Sequence, residues 1–155
     1  MKLRRAVPAA LVTAVALASF ATAAASTPFP AQHFSLTPVG GEPLHTGFVE
    51  VIHPEGPRVY ARHVYQLTGA RSHQSYEVVI SIWTSSFACN GAPTFVLPVA
   101  AVVTNESGNG HADVVHDPEL LAALGLRALT IGGEVVLLRD GTPAFATGCQ
   151  IVQLD

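Results

Sequence analysis

Lysine is almost missing from this chain: Lys2 is the only one in 155 residues, and charged residues make up 12% of the whole. Lys2, Arg4 and Arg5 sit together at the N-terminus. Downstream of them five arginines (Arg58, Arg62, Arg71, Arg127, Arg139) face eleven carboxylates, 5 − 11 = −6. A surface of that sign is a poor match for nucleic acid or for anionic lipid. Catalytic signatures are absent too. No serine lies in Gly-x-Ser-x-Gly, Ser-x-x-Lys cannot form downstream of Lys2, and no glycine-rich loop leads into a helix as a phosphate cradle would. Seven histidines are scattered without an HxH or HExxH spacing, so neither a zinc protease nor a copper or zinc carrier is indicated by pattern. No cofactor is expected.

Long apolar runs are also lacking, with one exception. MKLRRAVPAALVTAVALASFATAAAS has three basic residues, an apolar run from Ala9 to Phe20, and small residues at Ala21, Ala23 and Ala25. That layout is a secretory signal peptide, too short to span a bilayer. Residues 1–25 are therefore read as the signal and 26–155 as a single domain, with cleavage near Ala25. The residues after Arg4-Arg5 favour the general export route over the twin-arginine one, and no cysteine near the cut offers a lipid anchor. The released product is expected outside the cell, with no membrane insertion. Scarce lysine with abundant alanine, valine, glycine and proline suggests a GC-rich bacterial genome.

Cysteine is limited to Cys89 and Cys149. In an oxidising compartment an even pair reads as one disulfide. Closing a loop of about 60 residues should stabilise by about 4 kcal/mol in the chain-entropy model. A bridged sulfur is no nucleophile, which removes cysteine catalysis. A domain of about 130 residues can bury roughly two-thirds of its unfolded surface, so it needs no metal to fold.

What is present is β-strand pattern. Apolar and β-branched segments recur between Gly, Pro, Asn and Asp. They begin with 32–37 and TGFVEVIH, where Val49, Val51 and His53 share a side. After a PEGP turn (54–57) comes VYARHVYQL, with Ala61, His63 and Tyr65 opposite Tyr60, Arg62 and Val64. SYEVVISIWTS is the strongest, with Tyr76, Val78, Ile80 and Ile82 as the inward row. In TFVLPVAAVVT, Pro98 demands an edge or a bulge. HADVV, RALTI, EVVLLRD, AFAT and CQIVQL follow, with turns expected at Gly132-Gly133 and at 140–143. AFAT and CQIVQL could be one strand bent at Gly148. In HDPELLAALGL, Asp117 caps a short helix, Pro118 opens it and Gly125 ends it; Leu120, Leu121 and Leu124 should cover an open end. The total is an all-β antiparallel β-sandwich of about seven to nine strands with one short helix.

LTGARSHQSYEVVISI resembles the strand entry of fibronectin type III and other immunoglobulin-like domains, in which a tyrosine corner ties a loop to the following strand. The resemblance implies an immunoglobulin-like sandwich. GPRVYARHVYQLTGA, TNESGNG and FATGCQIVQLD are together similar to small secreted actinobacterial β-sandwich proteins. That likeness implies export and fold, and no activity.

The polar island VVTNESGNGHADVV (102–115) offers the main candidate chemistry. Asn105-Glu106-Ser107 is an N-glycosylation acceptor only in a glycosylating host. His111 and Asp113 share a strand face and His116 follows three residues later, so the three could ligate a metal. An EF-hand is excluded by the missing acidic alternation. The simpler reading is a turn over 107–110, Asn-Gly being a strong hairpin former. Paired acids for glycoside hydrolysis could come from Glu50, Glu77 or Asp113, but scattered acids on an acidic domain are expected to be solvated. Trp83 and Phe87 are either core near the disulfide or an exposed contact for a partner. The expected function is a secreted, non-enzymatic binding or interaction module for a protein or cell-surface polymer; the alternative is a metal-binding protein or hydrolase built on His111, Asp113 and His116.

Overall fold

The computed structural model describes residues 31–52, 61–126 and 129–154. The expected signal peptide, the expected PEGP turn, His53 and Tyr60 lie outside the described residues. Ten strands and one helical turn follow in chain order: β1 (Ala31–Ser35), β2 (Thr37–Pro38), β3 (Thr46–Ile52), β4 (Arg62–Thr68), β5 (Ser75–Trp83), β6 (Phe95–Val103), β7 (Gly110–Val115), α1 (Pro118–Ala123), β8 (Thr130–Arg139), β9 (Thr142–Ala146) and β10 (Gln150–Gln153). They form two antiparallel sheets. The four-stranded sheet runs β1-β3-β4-β7. The six-stranded one runs β2-β9-β8-β5-β6, with β10 also paired to β8.

Alternation decides which side chains meet between the sheets. β5 buries Tyr76, Val78, Ile80 and Ile82. β4 buries His63, Tyr65 and Leu67 and exposes Arg62 and Gln66. Residues from both sheets join one hydrophobic core. β3 and β4 lie inside their sheet, and the apolar content of β3's outer face is explained by Phe48, whose ring packs on His33 at 4.5 Å between centroids. Pro98 meets both of its expectations. β6 is an edge strand, and its register with β5 shifts between Val78 and Val79, opposite Pro98 and Ala100.

Two of the places where the chain changes sheet lie together. Residues 69–74 link β4 to β5, and 104–109 link β6 to β7. Buried Thr104 latches them: its hydroxyl donates to the Arg71 carbonyl at 2.6 Å and accepts from the Gln74 amide at 2.9 Å. Ala70 N–H donates to Gly108 O at 3.0 Å. Tyr65, Tyr76, Val78, Leu137 and Phe145 of the core are fully buried.

One glycine reading changes and another holds. Gly132-Gly133 is not a turn; both lie inside β8. A Cβ on Gly132 would overlap the Ser86 carbonyl oxygen and meet Cys89 Sγ at 3.3 Å, so the glycine answers to close approach by the 84–94 loop. The β8–β9 turn is made by Asp140 and Gly141, both at positive φ (52° and 75°), the two-residue hairpin geometry. β9 and β10 each pair with β8, β9 with its end (Val136–Arg139) and β10 with its start (Thr130–Gly133), and the chain leaves β8 between them around Gly148.

In α1, Asp117 accepts from Glu119 N–H at 2.8 Å as its N-cap. Of the leucines expected to cover an open end, the Leu121 side chain lies outside the described residues. Leu120 is exposed, and it is Leu124 and the fully buried Leu126 that pack on the core.

Candidate functional site

At the end opposite the Thr104 latch the sheets enclose a cavity of about 70 Å3, several times the space one water needs. Val51, Ala61 and Phe34 line it from the four-stranded sheet, and Ile80, Ile82, Leu97 and Val135 from the six-stranded one. Its origin is in the pattern already described. Toward the latch, β5 and β9 bring the rings of Tyr76 and Phe145 together, 5.1 Å apart between centroids. Toward the other end the inward rows of β3, β5 and β8 offer smaller aliphatic groups and Gly133. Leu126 and Leu154 close part of the rim.

Five polar residues touch this space: His63, His116, Glu134, Thr147 and Gln150. Thr147 and Gln150 are occupied by the break between β9 and β10. The Thr147 hydroxyl donates to Gly148 O at 2.9 Å and accepts from Val135 N–H at 3.0 Å, and Gln150 donates to Thr147 O at 2.9 Å. The histidines form a chain. His116 Nε2 lies 3.2 Å from His63 Nδ1, and the Tyr65 hydroxyl lies 2.9 Å from that same Nδ1. The two rings are 4.4 Å apart between centroids and inclined at 67°. Burial holds the Tyr65 hydroxyl protonated far above the ordinary tyrosine range.

The backbone explains the pairing. His63 faces inward from β4 opposite Val51 and Val114. His116 N–H donates to Ala61 O at 2.8 Å, which prolongs the β4–β7 ladder by one step past Val115. Side chains alternate along that path: His111 and Asp113 are exposed, Ala112 and Val114 pack on the core, and His116 turns in with them.

The three candidate metal ligands are thus divided between the two faces of one sheet. Asp113 is held by a bidentate pair with Arg62, Nε to Oδ1 at 2.9 Å and Nη2 to Oδ2. The hydrogen bonds from Arg62, with its charge and that of His111, keep the Asp113 carboxyl below its ordinary value. Among the described residues no three His, Cys, Asp or Glu side chains converge on a point that could hold a metal. Sequence reasoning named His116 and gave it the wrong neighbours; its partner, His63, is 53 residues away.

Cys89 and Cys149 are bonded, with Cα atoms 5.8 Å apart. The bridge ties the 84–94 loop to the link between β9 and β10. Trp83 is buried, 6% exposed, and donates from Nε1 to Gly91 O at 3.0 Å, so it anchors that loop and is not a surface contact. Phe87 is 53% exposed. A second cluster escaped the sequence altogether: the Glu42 carboxylate, with a side chain 8% exposed, accepts from Arg71 Nε at 2.9 Å and meets Arg139 Nη1 at 2.7 Å.

Among the described residues no helix is long and apolar enough to cross a membrane. Comparison with family models, with curated proteins and with solved structures finds no match to this chain.

Proposed function

We propose that the chain is exported and acts outside the cell as a non-enzymatic binding module whose ligand, a small apolar molecule, sits between the two sheets. The observation that carries this reading is the cavity itself, walled by aliphatic side chains at the end of the core away from the Thr104 latch. Such a space gains free energy from any apolar group that fills it, because unfilled apolar walls forgo dispersion contacts. The Cys89–Cys149 bridge is in keeping with an oxidising compartment.

The same proposal takes the sheets as an immunoglobulin-like β-sandwich. Support comes from the passages between the sheets at 69–74 and 104–109 and from the buried tyrosine, Tyr76, at the start of β5, although its hydroxyl makes no hydrogen bond and so lacks the tie of a tyrosine corner. The disulfide departs from that pattern, since it joins two loops bordering β8 and does not cross between sheets.

The test is to purify the protein from culture medium, extract it with organic solvent and identify what is released. An apolar compound should accompany the wild type and be lost from Val99→Phe, which places a ring in the cavity. Benzene titrated into the ligand-free protein should shift the methyl resonances of Ile80, Ile82, Leu97 and Val135. Shifts scattered over the outer surface, or extracts with nothing above a blank, would sink the reading.

One further observation favours a macromolecular partner as a second reading. Phe87 is displayed by a braced loop, with its carbonyl oxygen 3.3 Å from the bridged Cys149 Sγ and its Cα close over Gly132. If a protein or cell-surface polymer binds there, Phe87→Ala should abolish its retention and leave benzene binding unchanged.

A further inference from the structure

We propose that Asn90 is a self-modifying site, whose side-chain amide is lost through a cyclic imide formed with the Gly91 nitrogen. The reaction turns the uncharged 84–94 loop into an anionic, isoaspartyl one as the protein ages. Asparagine is among the chemically labile residues, above all where the next backbone nitrogen is uncovered, and glycine, with no Cβ, covers it least. The chain has two such pairs, Asn90-Gly91 and Asn109-Gly110. They are alike in sequence and differ in the fold.

Asn90 is placed to react. Both it and Gly91 are exposed, and a Cβ built on Gly91 would meet nothing within 4 Å. The Asn90 backbone N–H donates to Ser86 Oγ at 3.2 Å. Among the described residues neither its side-chain amide nor the Gly91 N–H makes a hydrogen bond. The Asn90 carboxamide carbon can therefore swing over the Gly91 nitrogen without breaking a bond.

Asn109 is held. Its backbone N–H and C=O are both bound to Asn105, and its side-chain oxygen is turned toward Gly69 N–H at 3.4 Å. Gly110 is buried, belongs to β7 opposite Leu67, and has Val102 and the Val103 carbonyl oxygen packed against it. Closing the ring there would undo the link between β6 and β7. The third asparagine, Asn105, precedes Glu106, whose side chain shields the nitrogen, and its own side-chain oxygen accepts from two N–H groups.

The chemistry needs water alone. The Gly91 nitrogen attacks Asn90 Cγ; the N–Cγ bond forms, the Cγ–Nδ2 bond breaks, and Nδ2 leaves as ammonia with the proton that the Gly91 nitrogen gives up. Water then opens the ring. Cleavage between the nitrogen and Cγ leaves aspartate. Cleavage between the nitrogen and the main-chain carbonyl carbon leaves isoaspartate, with the chain now running through Cβ and Cγ. Nothing is oxidised or reduced, and a neutral amide becomes a carboxylate.

The isoaspartyl product acts on the core. It lengthens the backbone by one carbon just ahead of Gly91, whose carbonyl accepts from Trp83 Nε1 at 3.0 Å. Trp83 is buried, so displacing that carbonyl leaves the indole N–H without its partner and loosens the loop that displays Phe87. Neither Asn90 nor Gly91 lines the cavity, so the site works whether or not the cavity is filled.

The test holds freshly purified, disulfide-intact protein at mildly alkaline pH below its melting temperature, beside the same protein unfolded in guanidinium chloride, and follows both by peptide mass mapping. In the folded protein the Asn90 peptide should gain the mass difference between a carboxyl and a carboxamide group and yield isoaspartate, while the Asn105 and Asn109 peptides stay unchanged. In the unfolded chain both Asn-Gly pairs should convert. Trp83 is the single tryptophan, so emission should shift to longer wavelength as isoaspartate accumulates. Asn90→Asp, which adds the charge without lengthening the chain, should keep the wild-type emission, and Asn90→Gln should abolish the conversion. An Asn90 peptide that stays intact in the folded protein while the unfolded chain converts overturns the proposal. So does an Asn109 peptide that converts as fast as Asn90 in the folded protein, and conversion without an emission shift overturns the effect on the loop.

Discussion

Asn105 and Asn109 hold each other across the loop that carries the chain from one sheet to the other. Asn105 N–H donates to Asn109 O at 2.9 Å, and Asn109 N–H donates to the Asn105 side-chain oxygen at 3.0 Å. The same oxygen accepts from Ser107 N–H at 2.9 Å. The positive backbone angle falls on Gly108 (φ 73°), and Gly110 already belongs to β7. The turn therefore sits two residues earlier than an Asn-Gly hairpin would place it. Asn105 is a structural residue whose side chain replaces missing backbone partners.

Gly108→Ala should be among the most damaging single changes. The new methyl would overlap the Ala70 carbonyl oxygen, and positive φ disfavours any side chain. A loss of about 2–4 kcal/mol is expected in urea unfolding. Asn105→Ala, which removes two side-chain bonds without a clash, should cost about 1–2 kcal/mol.

Thr104→Val keeps the volume and deletes the latch. It leaves the half-buried Gln74 amide without the Thr104 oxygen it donates to, so about 1–3 kcal/mol should be lost. Thermal unfolding checks this, with faster amide exchange expected at Ala70 and Gln74.

Cys89→Ser with Cys149→Ser should lower stability by up to about 4 kcal/mol. Gly132→Ala, with the bridge intact, should also destabilise, because Ser86 O occupies the place of the methyl. If Gly132→Ala melts at the wild-type temperature, the close approach of the 84–94 loop to β8 is wrong.

Acid should act on the Arg62–Asp113 pair in one direction. The folded carboxyl is held below the ordinary value of 3.8. The stability it contributes is therefore present above that value and is lost as pH falls through the lower folded value. In Arg62→Gln the Asp113 carboxyl should titrate closer to 3.8 by carbon-detected NMR. Both groups are exposed, so the effect on overall stability should be small.

How much of this was legible varies by element. The inward row of β5 and the edge and bulge at Pro98 could be read directly, since period-two alternation and a missing amide proton are local properties. The cap at Asp117 was equally local. Gly132-Gly133 misled because a glycine pair looks the same whether it turns or is pressed upon by another segment. Trp83 was ambiguous for a related reason: its burial depends on a loop whose carbonyl at Gly91 it must reach.

The sequence alone determined that this chain builds antiparallel strands, pairs its two cysteines and carries more carboxylates than cationic side chains. Each of these follows from residue types, their spacing over a few positions, and a charge count. Only the tertiary structure decided that His116 faces His63 and turns away from Asp113, that Glu42 bridges Arg71 and Arg139, and that the core opens into a cavity at one end. Those relations join residues between 29 and 97 positions apart. Such separations are set by strand register and sheet packing, which no short window of sequence contains.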